Sequence, residues 1–516
     1  MKAKQIRTDK IRDDHPEIII EETDNTDIGT MSDSLHTTRA AFRNTPSNRR
    51  RTMVSILIFA YNNLNLHTRK CIESILKYTS DIDYELVLLD NGSSDGTFEY
   101  FKSIPYQKKK IIRITENKGA NYGQFTATRY LTGRYVAMIA NDVYVTENWL
   151  TNMIKCAESD ERIGFCATYS DNISNLQAID LGYNGLEDMY IKAQKYNVSD
   201  PRKWEERLRL MPAIALYKRE CLDVIGSLDY AFRHDFSDDD ISFRVRRAGY
   251  KIICCGDVFV HHEGSSTQGS IEKKMDVLKK SREIFKKKYY GVDAWEDANN
   301  YDPLMINLVN PEEKRGALKP DVLGVDVKCG TPILQLKNKL RHADIFDANL
   351  SAFVQDPKYW LDLKTICEGT VAVDRIEYLT EHFSSNSFDY IILGNHINAY
   401  SDQEKVLSDL ILLLKSDGQL FIKLKNTFNM QAFFDAMKKG LGTGNKSLTY
   451  ADINHLNTIL MQHSGYAIIS IRQSLYNIDT AIKEVIRNAL KDSQYAQNID
   501  TVFTELITEY YALKIM

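Results

Sequence analysis

The sequence contains no apolar run that approaches the roughly 18 residues needed for a membrane-spanning helix, and it shows no signal peptide. It also lacks a Cys-x-x-Cys pair with a matching partner, because its cysteines are scattered over positions 71, 156, 166, 221, 254, 255, 329 and 367. We interpret them as reduced thiols, which predicts an intracellular, cytoplasmic protein. Such a protein would act on membrane-bound or exported material from the cytoplasmic side.

An excess of basic charge is absent too. The chain carries 66 Lys and Arg residues against 70 Asp and Glu residues, for a net charge of -4. This balance excludes the electrostatic footprint of a nucleic-acid-binding protein. The 516 residues, of which 43% are hydrophobic and 26% charged, have the composition of a globular protein with two or three domains. No internal repeat relates these domains.

Residues 1–52 have the least folded character of the chain. They are polar and charged apart from the short apolar patch Ile18–Ile20, and they end in an exposed stretch, rich in Arg and Asn, over residues 43–51. This composition is typical of a segment outside a packed core. We predict a flexible N-terminal arm that is disordered or docks as a single strand.

The pattern changes at Met53. Residues 54–59 form an almost continuous apolar run, as expected of a strand buried on both faces, and further apolar strands follow at residues 86–89, 111–114 and 135–139. Segments with helical spacing separate these strands. The alternation predicts an α/β domain with a mostly parallel sheet, which binds its ligand at the carboxyl ends of the strands.

The first domain is predicted to end after a lysine-rich helix over residues 271–289. A solvated helix face explains these lysines better than binding to acidic lipid does. Residues 296–320 contain repeated prolines and are predicted to be a linker. A second α/β pattern follows, so the predicted domains are residues 53–295 and residues 321–516.

Polar residues follow the predicted parallel strands of the first domain. Tyr61 and Asn62 follow the first strand, where an aromatic ring can stack on a nucleobase and an amide can bind its edge. The second strand ends at Asp90 and the glycine-containing turn 91–97, where a carboxylate can accept a hydrogen bond from a base or a ribose. Each motif in isolation is better explained as a helix cap or a tight turn.

Two further motifs complete the series, Glu116-Asn117-Lys118-Gly119 and Asn141-Asp142-Val143. In order and spacing the motifs resemble family 2 glycosyltransferases, which are inverting enzymes with a nucleotide-binding GT-A fold. The family pattern combines Tyr-Asn, a turn of the form Asp-Asn-Gly-Ser-x-Asp-Gly-Thr, Glu-Asn-x-Gly and an element like D-x-D. Chance agreement of the whole set is small. The resemblance therefore implies a GT-A glycosyltransferase domain.

The resemblance continues downstream to about Ser265. Residues 211–220 resemble the acceptor-side segment of the family. Asp238 matches the second acid of its Glu-Asp-x-Asp motif, in which Ser237 stands where Glu is usual. The final match is an apolar strand that ends in His261.

By this resemblance Asp142 and His261 would hold Mn²⁺ or Mg²⁺ against the donor diphosphate, with His262 as the alternative to His261. Asp238 aligns with the general base that takes the proton of the acceptor hydroxyl. Asp240 is expected to cap or anchor its helix. The residues expected to bind the donor are Ala60, Tyr61, Asn62, Asp90, Asn117, Gly119, Asn141 and Asp239.

Two positions depart from the family pattern. Many relatives carry Arg-Asn on the helix after Glu-Asn-x-Gly, and this chain has Gln124 and Phe125 there. Asn141 replaces the first acid of the D-x-D element, which leaves Asp142 as its one carboxylate. A modest metal affinity is therefore expected.

Residues 321–516 resemble class I S-adenosylmethionine-dependent methyltransferases, which have a Rossmann-like fold. Their strands four and five are matched by residues 387–394 and 412–420. Residues 325–332 occupy the place of the family's Gly-rich loop, but Lys328 and Pro332 replace two of its glycines. Those glycines allow a close backbone approach and positive φ. We therefore expect a degenerate domain that presents the acceptor or a partner, rather than one that uses S-adenosylmethionine.

The combined resemblance predicts an inverting, metal-dependent transfer of a hexose or N-acetylhexosamine from a UDP-sugar to a hydroxyl group. The pairing of the two domains resembles enzymes of bacterial surface-polysaccharide or flagellin glycosylation, so the acceptor would be a glycan or a Ser/Thr hydroxyl of a protein such as flagellin. Two alternatives remain open. One is a bifunctional enzyme that also methylates the sugar, and the other is a non-catalytic scaffold of two domains.

Overall fold

The computed structural model describes residues 7–9, 18–22, 53–229, 231–232, 235–264, 271–314, 319–427, 429, 452–463, 465–491 and 496–516. The chain divides into two compact units, Met1–Asn299 and Asn300–Met516. In the described part of the chain, no helix combines the length and the apolar character needed to cross a bilayer.

The first unit alternates strands with helices along the chain. Its strands are β1 Arg7–Asp9, β2 Ile18–Glu22, β3 Val54–Ala60, β4 Tyr84–Asn91, β5 Lys109–Ile114, β6 Tyr135–Ala140, β7 Val143–Tyr144, β8 Ile163–Ser170, β9 Trp204–Glu206, β10 Ile214–Lys218 and β11 Lys251–His262. Its α-helices are Arg69–Tyr78, Thr97–Ser103, Ala120–Thr128, Trp149–Glu158, Gly185–Tyr196, Arg219–Ile225, Ser237–Arg247 and Ile271–Lys288. A π-helical turn, Leu64–Thr68, leads into the first of them.

These strands form one sheet with the order β1-β2-β5-β4-β3-β6-β10-β8-β11-β7, and β9 pairs with β11. The central strands β5, β4, β3 and β6 run parallel to one another. Strand β10 is antiparallel to β6 and β8, while β8 and β11 are parallel. The α/β architecture expected from the sequence is therefore present, and the carboxyl ends of the central strands share one edge.

Helices cover both faces of this sheet, which explains the continuous apolar run of β3. Ile56 and Leu57 are adjacent on β3, yet they belong to two different apolar clusters, because successive strand residues point to opposite faces. Trp149 packs in the first cluster and Ala127 in the second. Burial on both faces holds the strand ends in fixed positions.

The N-terminal arm contributes two strands to this sheet. Strand β2, which contains the patch Ile18–Ile20, pairs antiparallel with the edge strand β5, and β1 pairs with β2. The sequence predicted a disordered arm or a single docked strand. The described parts of the arm form a two-strand extension of the sheet instead, because an edge strand offers unpaired backbone groups to an apolar segment.

The second unit contains strands β12 Asp321–Val325, β13 Asn349–Val354, β14 Val371–Val373, β15 Phe388–His396, β16 Leu414–Lys425, β17 Ile468–Leu475 and β18 Thr508–Ile515. Its α-helices are Pro303–Asn307, Thr331–His342, Trp360–Leu363, Leu379–His382, Gln403–Leu413, Ile453–Met461, Thr480–Lys491 and Ile499–Ile507. The sheet order is β14-β13-β12-β15-β16-β18-β17, and β18 is antiparallel to both of its neighbours. The first five strands of the unit follow the doubly wound order 3-2-1-4-5.

The sequence predicted a linker over residues 296–320, but part of this segment forms a buried helix. Met305 in the helix Pro303–Asn307 is fully buried, and the Asp302 carboxylate caps this helix by accepting a hydrogen bond from the Met305 N–H at 3.1 Å. Lys339 Nζ donates to the Ile306 carbonyl at 2.7 Å. Prolines at helix starts explain the misleading pattern, since Pro is well accommodated in a first helical turn.

Candidate functional site

The site is formed where the parallel strands β3, β4 and β6 end. Ala60 on β3 is paired with Asp90 on β4, and Phe59 is paired with Ala140 on β6. The predicted donor-binding residues at the ends of these strands therefore lie on neighbouring strands of the sheet. Ala60 is fully buried, whereas Tyr61 is 41% exposed and presents its ring to solvent.

Asp90 is completely buried at this edge. Its Oδ1 accepts a hydrogen bond from the Ser93 N–H at 2.9 Å, while Oδ2 makes no hydrogen bond and lies 3.4 Å from Arg113 Nε. Burial raises the pKa of the Asp90 carboxyl above its ordinary value, although Ser93 and Arg113 act in the opposite direction. An unbonded buried acceptor of this kind can be satisfied by an N–H or O–H group of a ligand.

Asn62 joins the loop after β3 to the turn after β4. Its N–H donates to Ser93 Oγ at 2.9 Å, and its side-chain Oδ1 accepts a hydrogen bond from the Ser94 N–H at 3.0 Å. Asn62 adopts the left-handed backbone conformation with φ of 55°, which asparagine tolerates better than most residues. The side chain that was predicted to bind the donor thus braces two loops with its oxygen.

Asn117 and Gly119 brace the neighbouring loop in a similar way. Asn117 Oδ1 accepts hydrogen bonds from the Gly119 N–H and from Asn91 Nδ2, both at 2.9 Å. Gly92 lies so close to this loop that a Cβ there would be 2.7 Å from the Asn117 nitrogen. The Asn117 amide oxygen is therefore engaged in holding the end of β4 against the loop after β5.

Asn141, at the end of β6, is also part of this bracing. Its Nδ2 donates to Thr68 Oγ1 at 2.8 Å and to the Asn62 carbonyl at 3.3 Å. A continuous chain of hydrogen bonds thus runs from Asp90 through Ser93 and Asn62 to Asn141. Asp142 is the next residue, so the turns after β3, β4 and β6 are held as one unit beside its carboxylate.

The structure brings His262, rather than His261, beside Asp142. His262 Nε2 lies 3.6 Å from Asp142 Oδ2, and the strand β11 extends through His262 by pairing with Val143 on β7. Because successive strand residues point to opposite faces, His261 faces away from Asp142 and contacts Asp171. The sequence preferred His261 as the metal ligand, whereas the structure sets its alternative, His262, beside Asp142. This geometry favours His262, and the ligand role of either histidine stays a prediction.

Asp142 and His262 present a carboxylate oxygen and an imidazole nitrogen to each other. Asp142 is 5% exposed. Burial lowers the pKa of His262, but Asp142 and the Asn172 carbonyl outweigh this effect and raise the pKa above the ordinary histidine value. One carboxylate and one imidazole suit a divalent ion such as Mn²⁺, so these donors fit the metal that the family resemblance implies.

Asp239 is not available to a ligand. Its side chain is 3% exposed and forms a buried ion pair and hydrogen bond with Arg209 Nε. Burial raises the pKa of Asp239, while Arg209 and a hydrogen bond from Trp295 lower it, and the net direction is upward. These contacts speak against the prediction that Asp239 binds the donor, because the helix turn directs its carboxylate into the protein interior.

Asp240 anchors its helix, as the sequence indicated. Its carboxylate contacts Arg244 Nε at 2.9 Å, Lys288 Nζ at 2.5 Å and the Tyr289 hydroxyl at 2.7 Å. These partners fix the start of the helix Ser237–Arg247. Among the three consecutive acids, this leaves Asp238 as the one that reaches the cavity described next.

A cavity of about 250 Å³ extends from the end of β6 to the start of the helix Ser237–Arg247. Asp238 lines it together with Ala140, which directly precedes the Asn141-Asp142 turn. The remaining wall is formed by apolar and uncharged residues: Leu57, Phe59, Ala120, Asn121, Gln124, Met138, Ile139, Pro212, Ala213, Ala215, Tyr217, Leu228 and Ser237. A polar, partly apolar ring such as a sugar suits this lining.

In the second unit, Asp326 in the loop after β12 is bound by side chains from the segments after β13 and β15. Asp326 Oδ2 accepts hydrogen bonds from the Tyr400 hydroxyl at 2.7 Å and from Gln355 Nε2 at 2.8 Å. A Cβ on Gly394 would lie 2.4 Å from the Asp326 carbonyl oxygen, so the backbone of β15 packs tightly against the loop. These side chains and the backbone of β15 fill the space at the carboxyl end of β12, where a doubly wound sheet would bind a nucleotide.

Sequence reasoning missed several residues that shape the site. Thr68 supports Asn141, and Asp171, Asn172 and Tyr183 contact the histidine pair. Asp171 and Asn172 follow β8 directly, so they carry the same signal, polar residues just beyond a strand, that identified the other loops. Tyr183 has no comparable local signal.

Comparison with known proteins finds a family match within the first unit. Residues 55–226 match the family model described as glycosyl transferase family 2. The uncharacterized glycosyltransferase YfnE of Bacillus subtilis is 28% identical over 187 residues, which cover 34% of this chain and 44% of the relative. The Escherichia coli enzyme UDP-Glc:alpha-D-GlcNAc-diphosphoundecaprenol beta-1,3-glucosyltransferase WfgD is 33% identical over 106 residues, which cover 20% of this chain and 38% of the relative. The chain thus spans less than half the length of these relatives.

Solved structures give weaker likenesses. A mannosyltransferase of Pyrobaculum calidifontis in complex with GDP-Man and Mn²⁺ is 19% identical with a TM-score of 0.32, covering 44% of this chain and 63% of its own. A SAM-dependent methyltransferase of Archaeoglobus fulgidus is 15% identical with a TM-score of 0.27, covering 45% of this chain and 97% of its own. The likeness to known glycosyltransferases thus rests on the sequence match of residues 55–226 in the first unit.

Proposed function

We propose that the first unit is an inverting, metal-dependent glycosyltransferase that moves a hexose or N-acetylhexosamine from a UDP-sugar to an acceptor hydroxyl. One observation carries the proposal. The hydrogen-bonded turns that hold Asp90 and Asn141 lead directly to the Asp142–His262 pair, and the cavity beside them is lined by Asp238. A buried acceptor, a carboxylate–imidazole pair and a carboxylate that lines the cavity thus occur along one sheet edge.

The donor would lie across the strand ends. The Oδ2 of Asp90, which makes no hydrogen bond in the structure, would accept one from the base or the ribose, and the exposed ring of Tyr61 would stack on the base. Asp142 and His262 would hold the divalent cation, Mn²⁺ or Mg²⁺, at the diphosphate. When bound, such a cation supplies Lewis-acid stabilisation of the departing diphosphate.

The sugar would occupy the cavity, with its anomeric carbon between the diphosphate and Asp238. Asp238 would accept the proton of the attacking acceptor hydroxyl as general base. Attack from the side opposite the leaving group inverts the configuration of the anomeric carbon. Gln124 and Asn121 would offer hydrogen bonds to the sugar hydroxyls from the cavity wall.

The acceptor is proposed to be a growing glycan or a protein hydroxyl, as in flagellin glycosylation. The name of the E. coli relative describes glucosyl transfer to a lipid-linked sugar, which favours a glycan acceptor and a role in surface-polysaccharide synthesis. The second unit would then present the acceptor or a partner without using S-adenosylmethionine. The contacts of Asp326 with Tyr400 and Gln355 support this, because they close the loop that would take the cofactor.

A thermal-shift measurement on the full chain tests the proposal. UDP with Mn²⁺ should raise the melting temperature of the unmodified protein, since a ligand that binds only the folded state stabilises it. Asp142→Ala should reduce that increase. The absence of any shift in the unmodified chain would instead favour the non-catalytic scaffold, and binding of S-adenosylmethionine would favour the bifunctional enzyme.

A further inference from the structure

The two residues that follow β8 lie beside the end of β11. Strands β8 and β11 are parallel, and their last paired residues are Ser170 and Val260. Asp171 and Asn172 therefore continue alongside the chain where His261 and His262 leave the sheet. This places a carboxylate and an amide next to the histidine pair without any long loop between them.

Four hydrogen bonds join these two short segments. The two oxygens of Asp171 bind His261 Nδ1 and the His262 N–H, the latter at 2.9 Å. The Asn172 carbonyl accepts a hydrogen bond from His262 Nδ1 at 2.6 Å, and Asn172 Nδ2 donates to the Glu263 carbonyl at 3.0 Å. Two consecutive residues thus fix both the backbone and the ring of His262. We name residues 171–172 the histidine clamp.

The clamp determines which nitrogen of His262 faces Asp142. A carbonyl oxygen can only accept a hydrogen bond, so Nδ1 carries the proton and the lone pair of a neutral ring resides on Nε2. That nitrogen is 3.6 Å from Asp142 Oδ2. The Glu263 N–H also donates to the Asp142 carbonyl at 3.1 Å, which ties the clamped segment back to the other metal-ligand residue.

Asp171 is itself held firmly. Its Oδ2 also accepts a hydrogen bond from the Tyr183 hydroxyl, which in turn lies 2.9 Å from His261 Nδ1. Burial raises the pKa of Asp171, but the hydrogen bonds from His261, Tyr183 and the His262 N–H outweigh this and keep the pKa below its ordinary value. The residue is therefore an ionised carboxylate with a fixed orientation.

We propose that Asp171 is a positioning residue of the metal site, which touches neither the metal nor the substrate. It holds the backbone of His262 in place, so that the ring, which the Asn172 carbonyl binds through Nδ1, directs Nε2 at Asp142. His261 belongs to the same arrangement as the group that orients Asp171. The inference rests on the proposed function, because it requires a divalent cation held by Asp142 and His262. Groups that orient a ligating histidine typically change metal affinity about 10- to 100-fold when they are removed.

Binding of Mn²⁺ to the full chain, followed by the electron paramagnetic resonance signal of free Mn²⁺, tests this role without requiring activity. Asp171→Asn and Asp171→Glu should each weaken Mn²⁺ binding by about tenfold or more. Asp171→Glu keeps the negative charge and moves the carboxylate, so it separates position from charge. Asn172→Ala keeps the clamping carbonyl and should weaken binding by less than either change at Asp171.

Asp160→Asn is the matched control, since Asp160 binds Lys251 at 2.8 Å at the opposite end of the same strand pair. It should leave the Mn²⁺ affinity unchanged. Unaltered Mn²⁺ binding in Asp171→Glu overturns the positioning role, and this variant decides the question if Asp171→Asn does not fold. Failure of the unmodified chain to bind Mn²⁺ refutes the proposed metal site instead, so the two failures are distinguishable.

Discussion

Asp238 and Asp239 are neighbours on one helix, yet their side chains enter different environments. Asp238 lines the cavity, whereas Asp239 pairs with Arg209 in the interior. We predict that Asp238→Asn lowers the turnover number of sugar transfer about 10²- to 10⁴-fold, because the amide cannot accept a proton. UDP affinity, measured by calorimetry, should be unchanged. Retained transfer in this variant would remove Asp238 as the base.

Asp239→Asn should have the opposite profile. The change leaves the Arg209 guanidinium, which is 5% exposed, without its buried counter-ion. Loss of one partner of such a pair typically costs about 3–5 kcal/mol in the free energy of unfolding. We expect a lower melting temperature of the full chain, while the protein that remains folded keeps its UDP affinity. A stable variant that had lost UDP binding would restore Asp239 as a donor-binding residue.

The two histidines allow a direct comparison at the same scale. His262→Asn should abolish the ability of Mn²⁺ to tighten UDP binding, because it removes the nitrogen that faces Asp142. His261→Asn should leave part of this effect, since His261 contributes only through Asp171. Calorimetry of UDP binding with and without Mn²⁺ measures both variants. The reverse ranking would return the ligand role to His261.

The two histidines illustrate what could and could not be predicted from the sequence. The strands along the chain and the polar residues at their ends could be predicted, because each motif is local and follows an apolar run. The register of His261 and His262 could not, because it depends on pairing of β11 with β7 and on the clamp from β8. The burial of Asp239 could not be predicted for the same reason, as its partner Arg209 is distant in sequence.

At the scale of elements, the turn after β4 depends on close contact with the loop after β5. Gly92 has φ of 82°, and a Cβ there would lie 2.7 Å from the Asn117 backbone nitrogen. Gly96 has φ of 90°, but its added Cβ would meet only Leu64 Cδ2 at 3.7 Å. Both positions carry the cost of a left-handed backbone, and Gly92 alone adds a clash with backbone.

We therefore predict that Gly92→Ala destabilises the chain more than Gly96→Ala, for which backbone strain of about 1–3 kcal/mol is expected. Gly92→Ala should also weaken UDP binding, because the clash displaces the turn that holds Asp90. Thermal melting and UDP calorimetry of the two variants check this. Equal effects of the two substitutions would show that loop contact is unimportant for the site.

At the scale of the whole molecule, a buried histidine of the second unit should make the free energy of unfolding depend on pH. Burial, with help from Lys423 and Lys425, lowers the pKa of His396 from 6.5 to about 4. Between these values the unfolded state binds a proton that the folded state does not. Stability therefore falls as the pH decreases through this window, and it is fully retained above it.

Replacing His396 should flatten this dependence. We expect the melting temperature of His396→Gln to change less between about pH 7 and about pH 5 than that of the unmodified chain. The comparison uses the slope with pH, so a constant loss of stability in the variant does not matter. Identical slopes in the two proteins would show that His396 titrates normally in the folded state.

Calorimetric titration of UDP into the full chain, with and without Mn²⁺, tests the central claim most directly. We expect the chain to bind UDP and Mn²⁺ to tighten this binding at least about tenfold, because Asp142 and His262 would hold the cation at the diphosphate. Asp142→Ala should remove this gain. An affinity for UDP that does not depend on Mn²⁺, or no binding of UDP at all, would contradict a metal-dependent transferase that uses a UDP-sugar.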